Sequence, residues 1–137
     1  MSSEKLDLTP LDKAVFRLQE GWMRYQIDIS DTQIRDGLIQ RFEFTYEISH
    51  KMLKRHLEAT SASSAEIDGM NFQDLIRTGN ERNLLLGDWP KWKVYREMRA
   101  KTSHTYDEDV ALEVVGEIPG FLQEAIHLQV RLHEAQA

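Results

Sequence analysis

The sequence predicts an all-α protein: an up-and-down bundle of about five helices built around one long central helix. Three observations carry that expectation. Apolar residues recur at helical spacing through most of the chain. No segment alternates apolar and polar residues as a half-buried strand does. Cap-forming residues and helix breakers stand at the joins between the periodic stretches.

The first helix is expected to begin at Thr9, with Thr9 as cap, Asp12 three residues on and Pro10 in the first turn. Leu11, Ala14, Val15, Leu18, Trp22 and Tyr25 then form its apolar stripe, and Asp28 to Ser30 break it. The central helix runs from Ser30 or Asp31 to about Thr60, and Ser30 with Gln33 has the spacing of a capping box. At about 100° per residue, Asp36, Gln40, Glu43, Glu47, His50, Lys54 and Glu58 gather on a polar arc. Ile34, Leu38, Ile39, Phe42, Tyr46, Ile48, Met52, Leu53 and Leu57 fill the wide opposite arc. A helix apolar over so much of its girth packs on more than one side. Arg41 and His56 fall inside that apolar arc. Each reads as a satisfied core or interface residue, or, for Arg41, as support for a site or a dimer contact.

Thr60 to Ser64 reads as a loop and Glu66 to Thr78 as one short helix ended by Gly79 and Asn80. Asp88 and Pro90 start the next helix, which turns Trp92, Tyr95 and Met98 inward and ends near Lys101. Thr105 and Glu108 have capping-box spacing for a last helix carrying Val110, Ala111, Val114, Val115 and Ile118. Pro119 and Gly120 are expected to break or kink it before Phe121, Leu122, Ala125, Leu128 and Leu132 continue the pattern.

The length of 137 residues suits one domain spanning 1–137. With no cysteine, disulfides, thiol catalysis and thiolate metal sites are excluded together. Met1 to Leu8 lacks the apolar run of a signal peptide, and no later stretch reaches the length of a membrane span, so a cytoplasmic protein is expected. The formal net charge of −6 would repel nucleic acid globally. Between Lys91 and His104, however, Lys91, Lys93, Arg96, Arg99 and Lys101 face only Glu97. That run reads as a solvated helix face or as the one place where a polyanion would be welcome.

Several chemistries are absent. There is no Gly-rich phosphate loop and no Ser-centred nucleophile elbow. The pairs His50/His56 and His127/His133 are six apart and diverge by about 240° around a helix. No metal site and no cofactor are therefore expected. What remains is Arg99-Ala100-Lys101-Thr102-Ser103-His104-Thr105-Tyr106-Asp107-Glu108. A helix break inside it lets a guanidinium, an imidazole and a phenol turn toward one point. Thr102, Ser103 and the first amides of the next helix add donors suited to an anion such as phosphate. Arg offers a permanently charged planar fork, His can exchange a proton near neutrality, and Tyr106 offers a hydroxyl that can bind or be modified.

The spacing of Arg99, His104 and Tyr106 resembles the R-x-x-x-x-H-x-Y motif of the HEPN superfamily (higher eukaryotes and prokaryotes nucleotide-binding). Ile39-Gln40-Arg41-Phe42-Glu43-Phe44-Thr45-Tyr46-Glu47, then Lys51 and Leu53-Lys54-Arg55, resemble its prokaryotic nucleotidyltransferase substrate-binding branch, as does Thr102 to Glu108. The resemblance runs from about Leu6 to Leu132. It implies a homodimer with the two motifs near its interface, and a small separate nucleotidyltransferase as partner in a toxin–antitoxin arrangement. For active members it implies metal-independent RNA cleavage, with Arg99 stabilising charge on phosphate and His104 as general acid or base. Tyr106 matches the residue to which the partner transfers AMP from ATP, silencing the toxin. Ribonuclease members usually carry a polar residue, often Asn, after the Arg; Ala100 departs from that pattern. The same residues also fit a non-catalytic subunit that presents substrate or nucleotide to the nucleotidyltransferase.

Overall fold

The computed structural model describes residues 5–137, and among these it is all-helical, with no strand. Six α-helices and one 3₁₀ turn follow in order: α1 (Thr9–Ile27), α2 (Thr32–Thr60), α3 (Ser64–Asp68), α4 (Phe72–Glu81), α5 (Trp89–Lys101), the turn Thr102–His104, and α6 (Glu108–Gln136).

The long helices α1, α2 and α6 form the frame. Thr45 donates to the Ala14 carbonyl, Arg41 to the Arg17 carbonyl, and Gly21 lies against Leu38 and Arg41, so α1 and α2 run antiparallel. Gln129 and His133 reach Asp12, and Gln136 bonds Leu6 in both directions, which fixes the end of α6 beside the start of α1. The short helix α5 lies antiparallel to the first half of α6, with Lys101 opposite Glu113 and Lys91 opposite Glu117. Where α2, α5 and α6 meet, Phe42, Tyr46, Trp92, Tyr95 and Phe121 form an aromatic wedge of edge-to-face and tilted pairs with centroid spacings of 5.1 to 6.4 Å. Desolvation there pushes the Tyr46 phenol up to about 12. The expected apolar stripes of α1, α5 and α6 are buried, apart from Trp22 and Val110, which are half-buried. On α2, His56 is buried as expected, joined by Arg35, Thr45 and Ser49.

The joins differ from the sequence expectation in instructive ways. Thr9 lies inside α1 and caps nothing; Asp7 instead accepts from the Thr9 amide at 3.0 Å. Asp31, not Ser30, caps α2, accepting from Gln33 and Ile34 at 3.0 Å, while Ser30 is occupied with Asp28. Residues 66–78 are two helices rather than one, because Asn71 takes the Asp74 amide at 2.8 Å and starts α4 afresh. Gly79 does not end α4. A Cβ there would meet Leu85 at 2.9 Å, so the glycine admits a neighbour, and the stop comes later, where Asn83 adopts φ 58°. Finally, α6 runs unbroken through Pro119. Burial of Val115, Ile118, Phe121 and Leu122 on both sides outweighs the single backbone hydrogen bond the proline removes.

Candidate functional site

The stretch singled out by its chemistry leaves the helical path between α5 and α6. Thr102 turns its hydroxyl onto the Arg99 carbonyl at 2.8 Å, and Thr105 bonds the Thr102 carbonyl at 3.2 Å. Such local bonds compete with helix continuation. Asp107, rather than the expected Thr105, then caps α6 by accepting from Asp109 at 2.9 Å and Val110 at 3.2 Å. The capping-box spacing at Thr105 misleads because Asp107 lies nearer the start and its carboxylate suits the positive helix end.

Arg99 ends α5 with about a third of its side chain exposed. Its Nε donates to Glu47 at 3.1 Å and its Nη2 bonds the same carboxylate oxygen. Nη1 lies 3.8 Å from Glu43 and 3.4 Å from the Thr102 hydroxyl, which donates to Glu43 at 2.6 Å. Glu43 and Glu47 stand one turn apart on α2 and face the same way. Hydrogen bonding to Glu47 holds the Arg99 guanidinium above its ordinary value. His104 and Tyr106 lie on the solvent side. Their rings meet edge to face at 6.2 Å, and Tyr106 is 87% exposed. Ser103 is exposed as well. The junction thus carries a fixed cation, an accessible imidazole beside an accessible phenol, and hydroxyls at Thr102 and Ser103.

The loop is held from behind. Arg35, only 6% exposed, forks onto the Glu108 carboxylate at 2.7 and 2.8 Å and ties the start of α2 to the start of α6, two residues from Tyr106. That hydrogen bond keeps the Glu108 carboxyl below its usual range.

Arg41 stands apart from this cluster. It bonds the Arg17 carbonyl at 2.7 Å and Glu20 at 3.0 Å, both on α1. Sequence reading also missed Glu43, Glu47 and Arg35. The two acids looked like members of a solvated arc, and only their spacing of one helical turn hinted at a shared cation. The cationic run is partly matched in space, with Lys93 left without an ion-pair partner among the described residues. Lys91 pairs with Glu117, Arg99 with Glu47 and Lys101 with Glu113, while Arg96 lies over the Phe72 ring.

Residues 6–134 match the family model described as "Nucleotidyltransferase substrate binding protein like". The chain belongs to that family. A curated relative from Haemophilus influenzae, named "Probable ribonuclease HepT", is 37% identical over 142 residues, covering 98% of this chain and 97% of the relative. A solved structure from the same organism, described as revealing the fold of a substrate binding domain of a nucleotidyltransferase, superposes with a TM-score of 0.86. It shares 35% identity and covers 93% of this chain and 99% of the other. The HEPN resemblance therefore holds over nearly the whole bundle. No helix among the described residues is long and apolar enough to cross a membrane.

Proposed function

We propose that this protein is the HEPN subunit of a two-component system, an RNA endonuclease that needs no metal and is silenced by a small nucleotidyltransferase through AMP transfer to Tyr106. The observation that carries the reading is an exposed His104 beside an exposed Tyr106 on the turn that follows Arg99, in a chain of this family. The name of its Haemophilus influenzae relative points the same way.

In the cleavage step a ribose 2′-hydroxyl attacks the adjacent phosphorus and the 5′-oxygen leaves, giving a 2′,3′-cyclic phosphate and a 5′-hydroxyl. His104 takes the 2′-hydroxyl proton or supplies one to the leaving oxygen. Arg99 binds the phosphoryl oxygens as negative charge builds on them, and Thr102 and Ser103 supply neutral donors. For Arg99 to do so, phosphate must replace at least one of its two carboxylate partners. A homodimer that brings two junctions together would supply a second Arg/His pair and enclose the scissile bond. In the silencing step the Tyr106 hydroxyl attacks the α-phosphorus of ATP in the partner enzyme, and pyrophosphate leaves. A phenol so exposed is open to such transfer, and the added phosphodiester would crowd His104 and repel substrate phosphate.

Metal-free incubation of RNA with the pure protein tests the first step. Cleavage that disappears in His104→Ala is expected, and wild-type protein inert on mixed tRNA and mRNA would overturn it. For the second step, intact mass after incubation with partner and ATP should rise by whole AMP units. A Tyr106→Phe protein that gains the same mass would refute it.

A second reading has its own support. Ala100 and the carboxylate hold on Arg99 favour a non-catalytic subunit that presents substrate to the nucleotidyltransferase. It predicts co-elution of the pair at micromolar concentration without RNA cleavage.

A further inference from the structure

The groove between α1 and α2 carries a row of cations with no ion-pair partner among the described residues, whereas three of the five cations on α5 are paired with acids. Two adjoining cavities, of about 600 and 420 Å³, share Gly37 and Arg41 and form one track along these helices. Lys13, Arg17 and Arg24 enter it from α1, all exposed. Their spacing of four and seven residues keeps them on one helix face, over about 16 Å. Among the described residues none of the three has an ion-pair partner, whereas Glu20 and Glu47, the acids in the track, are taken by Arg41 and Arg99. Phe44 lies half exposed in the groove wall beside the exposed Gln40 amide. Glu47 both lines the groove and holds Arg99, so the track ends at the motif junction.

We propose that this groove is the binding track for single-stranded RNA flanking the scissile phosphate, with Lys13, Arg17 and Arg24 on backbone phosphates and Phe44 stacked on a base. The proposal rests on the ribonuclease reading and adds where its substrate lies. A backbone-following line of cations with an interposed aromatic ring is how sequence-tolerant single-strand sites are built. In a chain of net charge −6, such a line also gives the polyanion a favourable local path. Arg41 orients the groove wall rather than binding RNA, because its guanidinium is held by Glu20 and the Arg17 carbonyl.

The test is fluorescence anisotropy with a labelled 2′-O-methyl oligoribonucleotide of mixed sequence, which cannot be cleaved, across a range of salt concentrations. Each phosphate contact contributes about 0.7 to the slope of log affinity against log salt. Lys13→Gln/Arg17→Gln should therefore flatten the slope by about 1.4. Phe44→Ala should weaken binding roughly tenfold with the slope unchanged. Circular dichroism should be that of wild type, since these side chains are exposed. An unchanged slope in the double variant, or a slope lost instead in Lys93→Gln/Lys101→Gln, would overturn the track. So would Phe44→Ala that converts a dimer to monomer in sedimentation yet binds RNA normally, since the groove would then join two copies. Wild-type cleavage lost in His104→Ala, alongside an unchanged slope in Lys13→Gln/Arg17→Gln, would sink the track alone. The expected slopes without cleavage would keep the track and sink the ribonuclease.

Discussion

The aromatic wedge, where α2, α5 and α6 meet, and the Arg99–Tyr106 junction, which joins α5 to α6, are built on opposite terms. In the wedge, Trp92, Tyr95, Phe42 and Phe121 are each within 2% of full burial and held by many shallow contacts at once. At the junction, a few directional bonds from Thr102, Thr105 and Asp107 shape a loop whose reactive rings face water. The wedge supplies rigidity and no reactive group, while the junction supplies reactive groups and little stability. Side chains that must meet a substrate cannot also be buried to hold the fold together, so the wedge positions the loop it does not contain.

The largest test of that division is Trp92→Ala. It should cost about 3–5 kcal/mol in urea unfolding, a large part of the 5–15 kcal/mol typical of a domain. A cost below about 1 kcal/mol would break the comparison. Glu124→Ala comes next. This carboxylate, 1% exposed, accepts from the Leu86 and Gly87 amides at 2.7 and 2.6 Å and pins the loop leading into α5. Removing it leaves two amides short of a partner and should cost about 2–3 kcal/mol. Burial also pushes the Glu124 carboxyl up against those two hydrogen bonds. Its protonated form is thus favoured by folding, and the stability this contributes is present in acid and lost as pH rises through its elevated value.

Two histidines oppose that trend. Burial depresses His50 and His56 below their ordinary 6.5. A depressed base contributes stability above about pH 6.5, lost as pH falls through its lowered value. Unfolding midpoints should accordingly drop from pH 7 toward pH 5, and His56→Gln should flatten the drop; an identical profile in the variant would place the effect elsewhere. The smallest effect belongs to the junction. Glu47→Gln should change stability by less than about 1 kcal/mol, as for other partly exposed pairs. It should nonetheless bind the 2′-O-methyl oligonucleotide more tightly than wild type, because Arg99 is freed. Equal affinity would mean that Glu47 does not restrain the guanidinium.

Much of this was legible in the residues. The spans of α1, α2 and α5, the inward residues Trp92, Tyr95 and Met98, and the break between Arg99 and Tyr106 follow from periodicity and breakers that act within a turn or two. The errors at Thr9, Ser30 and Thr105 share one cause. Several cap-forming residues lie within two positions of each start, and the exact geometry of the chain's entry chooses among them. Pro119 fails to break α6 for a different reason: its local cost is real, but burial contributed by other helices exceeds it.

What the sequence by itself determined is the spans of α1, α2 and α5 and the chemical character of the Arg99–Tyr106 stretch, because both depend on neighbours a few residues away. Tertiary structure alone decided which charges meet. Glu47 finds Arg99 across 52 residues, Arg35 finds Glu108 across 73, and Glu124 finds the Leu86 amide across 38. Packing likewise pairs Lys91, Arg99 and Lys101 on α5 with acids and leaves Lys13, Arg17 and Arg24 without acid partners among the described residues. A charge's effect depends on what lies within a few ångströms of it, and in a bundle that distance is set by helix packing, not by position along the chain.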